Sequence, residues 1–444
     1  MKKHLASASS LGLILFSMLF SACDDDKSEP EVLNTKIVVI SDPHYFSPSL
    51  LKSDGKAFQT YLMGDRKLIA ESSAILDETL KKIMAEKPAL VLIAGDLTKD
   101  GEKQSHTELA SKLEQLIGAG IKVYVTPGNH DVNNPDAHSY NGDVATKVEH
   151  VTPADFETIY KNCGYANAIA RGPKLSYISE PIKNLWIMSL DVCHYTNNTN
   201  HPETQGSMSA ELLSWAKTKL QEAKSKDITV LGMMHHGLLE HFQGQKSMFS
   251  EYVINDWENV ADQLAEAGLK FMFTGHYHAQ DIVMRNHGAN TIYDIETGSL
   301  VTAPCPYRIV KITNAETLEI DSRKIESINY PAIPAGSTFQ SYAKSNLETG
   351  LPIITNYLLS SAPYNLPAEQ VKMLSPVITE SFIAHYAGDE TDPKPENAAV
   401  LNALMKSADP LSLQMGGIIS SIWNDHTPGD NSVRINIKTG ELIQ

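Results

Sequence analysis

Five short segments of this chain concentrate side chains that can hold divalent cations: Asp42-Pro43-His44, Gly95-Asp96, Gly128-Asn129-His130-Asp131, His235-His236 and Gly275-His276-Tyr277-His278. Taken singly each is weak, because the chain has 16 histidines and an Asn after Gly is common in plain turns. Their co-occurrence is not weak, since each closes an apolar run and each lies in a turn containing Gly or Pro or directly before one. Imidazole and carboxylate together suit zinc, manganese, iron or cobalt, whereas all-oxygen sites suit magnesium and calcium. Two such ions about 3.5 to 4 Å apart need a bridging group, for which one carboxylate serves, and Asp96 is the candidate. Two dications balanced by Asp42 and Asp96 keep a net positive field that attracts a phosphate. They also lower the pKa of a shared water from about 15.7 towards 7, supplying a bridging hydroxide for in-line attack on phosphorus. Gly95, Gly128 and Gly275 let the backbone approach such a site closely, or simply end their strands.

The elements that must position these residues read as strands alternating with helices. Apolar runs at 36–40, 90–94 and 123–125 have the length of buried strands, and the intervening stretches 66–86 and 105–117 carry helical apolar spacing. Further strand candidates lie at 185–190, 228–233, 269–273, 291–295 and 308–312. This order predicts crossover units and a layered α/β domain. The candidate ligands follow the strands, where open α/β sheets place their sites. Segments 45–65, 132–147 and 193–206 are expected to shape the pocket, and Tyr45, Tyr140 and Tyr195 within them either stack on a substrate ring or pack structurally. A Pro-rich break around 328–336 divides a catalytic domain, 35–328, from a small C-terminal domain, 337–444, with helical spacing at 337–361, 367–387 and 396–424 and a strand at 432–437. That last region holds no second cluster of His, Cys and carboxylates.

A length of 444 residues allows two domains, and 42% hydrophobic with 20% charged residues fits a globular chain. The formal charge of -16 repels the phosphate backbone of long nucleic acid. A small phosphorylated substrate therefore needs a local positive centre, which points again to metal ions. Lys2 and Lys3, the apolar run at 11–20 and small residues before Cys23 have the layout of a secretion signal over 1–22, too short to span a membrane. This start resembles a bacterial lipoprotein signal, although Phe20 departs from the more usual Leu. It implies lipid on Cys23, a flexible tether over 23–34, and a membrane-anchored protein on the periplasmic or cell-surface face. Cys163, Cys193 and Cys305 then allow at most one intramolecular disulfide, and their spacing argues against a thiolate zinc site.

In order and in motif, the five metal-binding segments resemble the signature blocks of the calcineurin-like metallophosphoesterase family, over residues 35–314 and ending in its Gly-His-x-His pattern. The resemblance implies a four-layer αββα sandwich and two divalent ions, with Mn, Fe or Zn as candidates. Asp42, His44, Asp96 and His278 would hold one ion, and Asp96, Asn129, His235 and His276 the other. His235 is favoured over His236 because Gly237 follows at the family's offset. His130 would contact the phosphate or protonate the leaving oxygen, with Asp131 orienting its ring. With a helical C-terminal region, the layout resembles a cyclic-nucleotide phosphodiesterase-like bacterial branch, which implies a phosphodiesterase. The alternatives are a phosphomonoesterase, a catalytically inactive surface binding protein, or a glycan receptor. Oligomeric state is not readable from the sequence.

Overall fold

Ile37, Val38, Val39 and Ile40 are all fully buried, the pattern of a strand covered on both faces. In the computed structural model, which describes residues 34–443 apart from 315, 362, 363, 425 and 426, they belong to strand Thr35–Ile40 in the interior of a six-stranded sheet. That strand pairs in parallel with Leu90–Ile93 and antiparallel with Pro306–Thr313. Lys122–Val125 extends the parallel side, while Thr317–Lys324 and Ser432–Asn436 extend the other. Helices Ser72–Glu86 and Lys103–Gly118 make the crossovers and bury Ile75, Leu76, Leu109 and Leu113 in the same core.

The second sheet shows the two-residue period of a strand sandwiched between unlike neighbours. Its seven strands run in spatial order Asp281–His287, Asn290–Glu296, Phe271–Thr274, Thr229–Met233, Leu185–Ser189, Tyr177–Ile182 and Ala168–Arg171. Leu185, Ile187, Leu231, Met233, Phe271 and Phe273 point into the large core shared with the first sheet. The alternate residues Trp186, Met188, Val230 and Met272 pack with Leu212 and Leu220 of helix Ala210–Ser225 and Leu264 of helix Trp257–Ala267. The layers are helix, sheet, sheet, helix, which is the expected αββα sandwich.

Three departures from the sequence reading bear on the site. The stretch 66–86 is helical only from Ser72, so residues 64–71 form a loop before the helix. Segments 45–65 and 132–147 meet in a small sheet of Leu51–Ser53, His138–Asn141 and Val144–Lys147. The stretch 396–424 divides into helices Pro395–Leu404 and Pro410–Trp423 because Asp409 caps a fresh helix start with Pro at its first position.

Helices Phe339–Ser360 and Ala368–Ala387 place Phe339, Leu347, Val377 and Phe382 in the same apolar cluster as Ile37. Cys163, Cys193 and Cys305 are buried free thiols. The secretion-signal reading of 1–22 and the anchor at Cys23 lie outside the described residues. Among the described residues, no helix is long and apolar enough to cross a membrane.

Candidate metal centre

Each of the five segments leaves the carboxyl end of a strand: Thr35–Ile40, Leu90–Ile93 and Lys122–Val125 in one sheet, Thr229–Met233 and Phe271–Thr274 in the other. Backbone hydrogen bonds tie the loops together. The Asp42 N–H donates to the Gly95 carbonyl at 3.1 Å, the His44 N–H to Asp96 at 3.0 Å, and the Gly275 N–H to His235 at 2.9 Å. Close approach is built into the glycines at two positions: a Cβ on Gly95, at φ +91°, would strike the His235 ring, and one on Gly128 the Asp96 carboxylate. Asp42, His44, Asp96, His276 and His278 all have positive φ, between 37° and 76°. Such conformations cost non-glycine residues roughly 1 to 3 kcal/mol each and persist where the surroundings impose them.

Donor atoms converge in three overlapping groups among the described residues, Asp42–His44–His278, His44–Asp96–His130 and Asp96–His235–His276, which chain into two positions meeting at Asp96. In the first, His278 Nε2 stands 3.4 Å from Asp42 Oδ1 and 3.4 Å from His44 Nε2, and His44 Nε2 stands 3.6 Å from Asp96 Oδ2. In the second, His235 Nε2 lies 3.3 Å from the same Asp96 Oδ2 and 3.1 Å from Asn129 Oδ1, and His276 completes the cluster. Four imidazoles and two carboxylates turned toward one another at these separations, all buried, are a donor set for cations, and Asp42 Oδ1 is buried with no hydrogen-bond partner. The residues therefore fit a dinuclear divalent centre.

Outer contacts fix which nitrogen faces inward. His235 Nδ1 is 2.8 Å from the Ala94 carbonyl and must donate to it, leaving Nε2 free as a ligand. His278 Nδ1 contacts Thr302 Oγ1 at 3.1 Å, whereas His276 turns Nε2 to the Glu251 carbonyl at 3.3 Å and presents Nδ1. Burial, and then the Lys67 ammonium, hold the His44 pKa well below its ordinary value. Burial and the neighbouring His236 and His235 do the same for His276. Neutral imidazole is the metal-binding form. Burial also lowers His235, but Asp96 and Asp42 outweigh it and push it up to about 10, so this position attracts positive charge.

His130 stands beside the shared carboxylate, with Nε2 4.0 Å from Asp96 Oδ2 and its backbone N–H donating to Asp96 Oδ1 at 2.9 Å. The expectation that Asp131 orients its ring is corrected here. Asp131 accepts from the backbone N–H groups of Gly128, Leu97 and Thr98 at 2.8 to 3.0 Å, so its carboxylate braces the two loops. Asp100 takes the orienting place, its Oδ1 2.9 Å from His130 Nδ1, with the Lys99 carbonyl at 2.7 Å. His236, fully buried, bonds the Thr204 carbonyl through Nε2 at 2.8 Å and packs its ring 4.2 Å from that of His276. It packs against His276 and stands outside the three donor groups.

A profile of calcineurin-like phosphoesterases matches residues 35–280, more than half of the chain. The chain belongs to that family. Solved structures similar to this phosphoesterase include a dimetal phosphatase from Danio rerio, at 13% identity over 65% of this chain and 96% of that one, with a TM-score of 0.44. A purple acid phosphatase from yellow lupin (Lupinus luteus) seeds matches at 13% identity over 66% of this chain and 52% of that one, TM-score 0.42. A putative 5'-nucleotidase from Staphylococcus aureus matches at 14% identity over 72% and 59%, TM-score 0.38. No curated protein matches the sequence.

Membership makes this chain a metal-dependent phosphoester hydrolase by family, and the converging clusters are its candidate donors. Asp100 was not singled out from the sequence, although the run Gly95-Asp96 to Asp100-Gly101 places a second carboxylate one short turn beyond the bridge. Tyr45 donates to Glu108 at 2.9 Å and Tyr195 to Asp191 at 2.7 Å, while Tyr140 packs with Phe46 and Phe58, so all three pack structurally. The side chains beside the centre that sequence reasoning missed are Arg66 and Lys67. Both oppose protonation of His278, and Lys67 also opposes that of His44 and His130.

Proposed function

We propose that this phosphoesterase is a surface-anchored hydrolase that cleaves small phosphate diesters, with His130 delivering a proton to the leaving oxygen. The observation that carries the hydrolytic reading is the convergence of two donor clusters on the single Asp96 carboxylate beside His130. When bound, two divalent ions supply Lewis acidity to the phosphoryl oxygens and lower the pKa of water towards 7. Asp42, His44, Asp96 and His278 would hold one ion, and Asp96, Asn129, His235 and His276 the other.

His130 Nδ1 faces the Lys99 carbonyl and Asp100, so Nδ1 keeps its proton and Nε2, turned to the centre, is the atom that exchanges one with the substrate. Burial lowers the His130 pKa, but Asp96 and Asp100 outweigh it and hold it above its ordinary value, which suits an acid. The diester preference and the lipid anchor at Cys23 rest on the resemblance of the sequence segments. A second reading, hydrolysis of monoesters, is favoured by Arg66 and Lys67, whose charges suit a dianion. Hydrolysis of bis-p-nitrophenyl phosphate and p-nitrophenyl phosphate by residues 28–444, with added manganese or zinc, tests both. Faster cleavage of the diester supports the first reading, a monoester preference replaces it with the second, and turnover of neither leaves a binding protein.

A further inference from the structure

The loop at 64–71 lies beside the centre, its Leu68 N–H donating to the Val301 carbonyl at 2.7 Å next to Thr302, which contacts His278, and it carries two neighbouring cations that are held differently. Lys67 is nearly buried, at 9% exposure, and is paired with Asp65 at 3.1 Å. Arg66 forms no ion pair among the described residues, and its Nε is buried without a hydrogen-bond partner. Its guanidinium lies 5.6 Å from the centre of the Tyr386 ring, and its backbone carbonyl accepts from Asn346 Nδ2 at 3.2 Å. Both partners come from the C-terminal helices Phe339–Ser360 and Ala368–Ala387. On the other side, the Tyr252 ring packs 4.8 Å from that of the ligand His276, and Tyr252 also interacts with Arg66.

A guanidinium nitrogen kept from water costs free energy unless an acceptor meets it. Among the described residues no carboxylate makes an ion pair with Arg66, and Asp65, whose charge it feels, is bonded to Lys67. The planar donors of Arg66 are shaped for the oxygens of a phosphate.

We infer that Arg66, supported by Lys67, is an oxyanion-binding subsite at the mouth of the metal centre, selecting substrates whose phosphoryl group carries two negative charges, and that the C-terminal helices position it. This rests on the phosphoester-hydrolase reading and develops its monoester alternative. With Asp65 balancing Lys67, the loop adds about one net positive charge to those of the ions, which offsets part of the repulsion between an acidic protein and a dianion. It also gives the C-terminal helices a role in substrate choice, through Tyr386 and Asn346.

The test uses the metal-loaded protein with Arg66→Ala, Arg66→Lys and Tyr386→Leu. Binding of inorganic phosphate is measured by calorimetry, together with KM and kcat for p-nitrophenyl phosphate and bis-p-nitrophenyl phosphate. Arg66→Ala is expected to weaken phosphate binding and raise the monoester KM roughly tenfold, as loss of a charge-assisted hydrogen bond implies. The diester KM should rise less, because the diester offers one charge fewer. Arg66→Lys should recover part of the loss, and Tyr386→Leu should reproduce part of it with two ions still bound. Unchanged phosphate affinity in folded Arg66→Ala protein overturns the subsite, as does an equal rise in both KM values. If Arg66→Ala does not fold, Arg66→Lys carries the test, and affinity equal to that of the wild type would count against planar recognition. Absence of turnover in the wild type would remove the hydrolase reading while the phosphate titration still judged the subsite.

Discussion

At the scale of single residues, the chemistry divides between groups that hold cations and groups that aim them. The ligand types were legible because Asp, His and Asn fall in turns directly after apolar runs, a place where packing does not ask for them. The direction of a side chain was not legible. Asp131 is adjacent to His130 in sequence, yet its carboxylate turns to three backbone N–H groups, and Asp100 reaches the His130 ring from another loop. Burial raises the Asp100 pKa, but Lys99 and His130 outweigh it and keep the group ionised. His130→Ala is expected to lower turnover by about 100-fold or more while leaving the metal content unchanged. Asp100→Asn should give a smaller loss in the same direction, since it removes orientation and not the proton donor. Steady-state kinetics with metal analysis of both variants checks this. An Asp131→Asn variant with the larger kinetic defect and an unchanged melting temperature would restore the original assignment.

Elements were readable where burial is continuous and obscure where pairing is remote. Thr35–Ile40 and Leu90–Ile93 announce themselves as apolar runs. Leu51–Ser53 does not, because its partner His138–Asn141 lies far along the chain and its own residues are largely exposed. Helix Lys103–Gly118 shows how an element is tied to the site. Its His106 is fully buried, with Nδ1 2.8 Å from the Tyr160 hydroxyl and Nε2 3.0 Å from the Asp131 carbonyl. Burial pushes its pKa down to about 3, against roughly 6.5 in an unfolded chain. The folded state thus favours the neutral ring. Its contribution to stability is complete above pH 6.5 and is lost progressively as pH falls from there towards 3, by up to about 1.4 kcal/mol per pH unit. Urea unfolding of wild type and His106→Gln between pH 4 and 7.5 should show the shallower pH dependence in the variant. Identical slopes would mean that His106 is already charged in the folded protein.

For the whole molecule, the Pro-rich stretch at 328–336 is visible in the sequence, but the path of the chain beyond it, back into the same core, is not. Strand Ser432–Asn436 returns to pair with Thr317–Lys324, a contact no local pattern announces. Val433 and Ile435 join the large core with Phe339, Leu351 and Trp423. Ending the chain at residue 328 would unpair a sheet edge and bare apolar surface that the helices cover. The truncated protein is expected to be insoluble or to melt well below the full chain, as circular dichroism would show. A stable, fully active 34–328 fragment would show that the C-terminal helices serve neither stability nor the site.

The proposed role of Asp96, one carboxylate joining two metal positions, is tested most directly by the metal content of purified residues 28–444 compared with that of Asp96→Asn. Elemental analysis after dialysis should find about two divalent ions per wild-type chain and much less than one in the variant, with both proteins folded. Equal metal content in the two, or none in the wild type after exposure to manganese and zinc, would contradict the account.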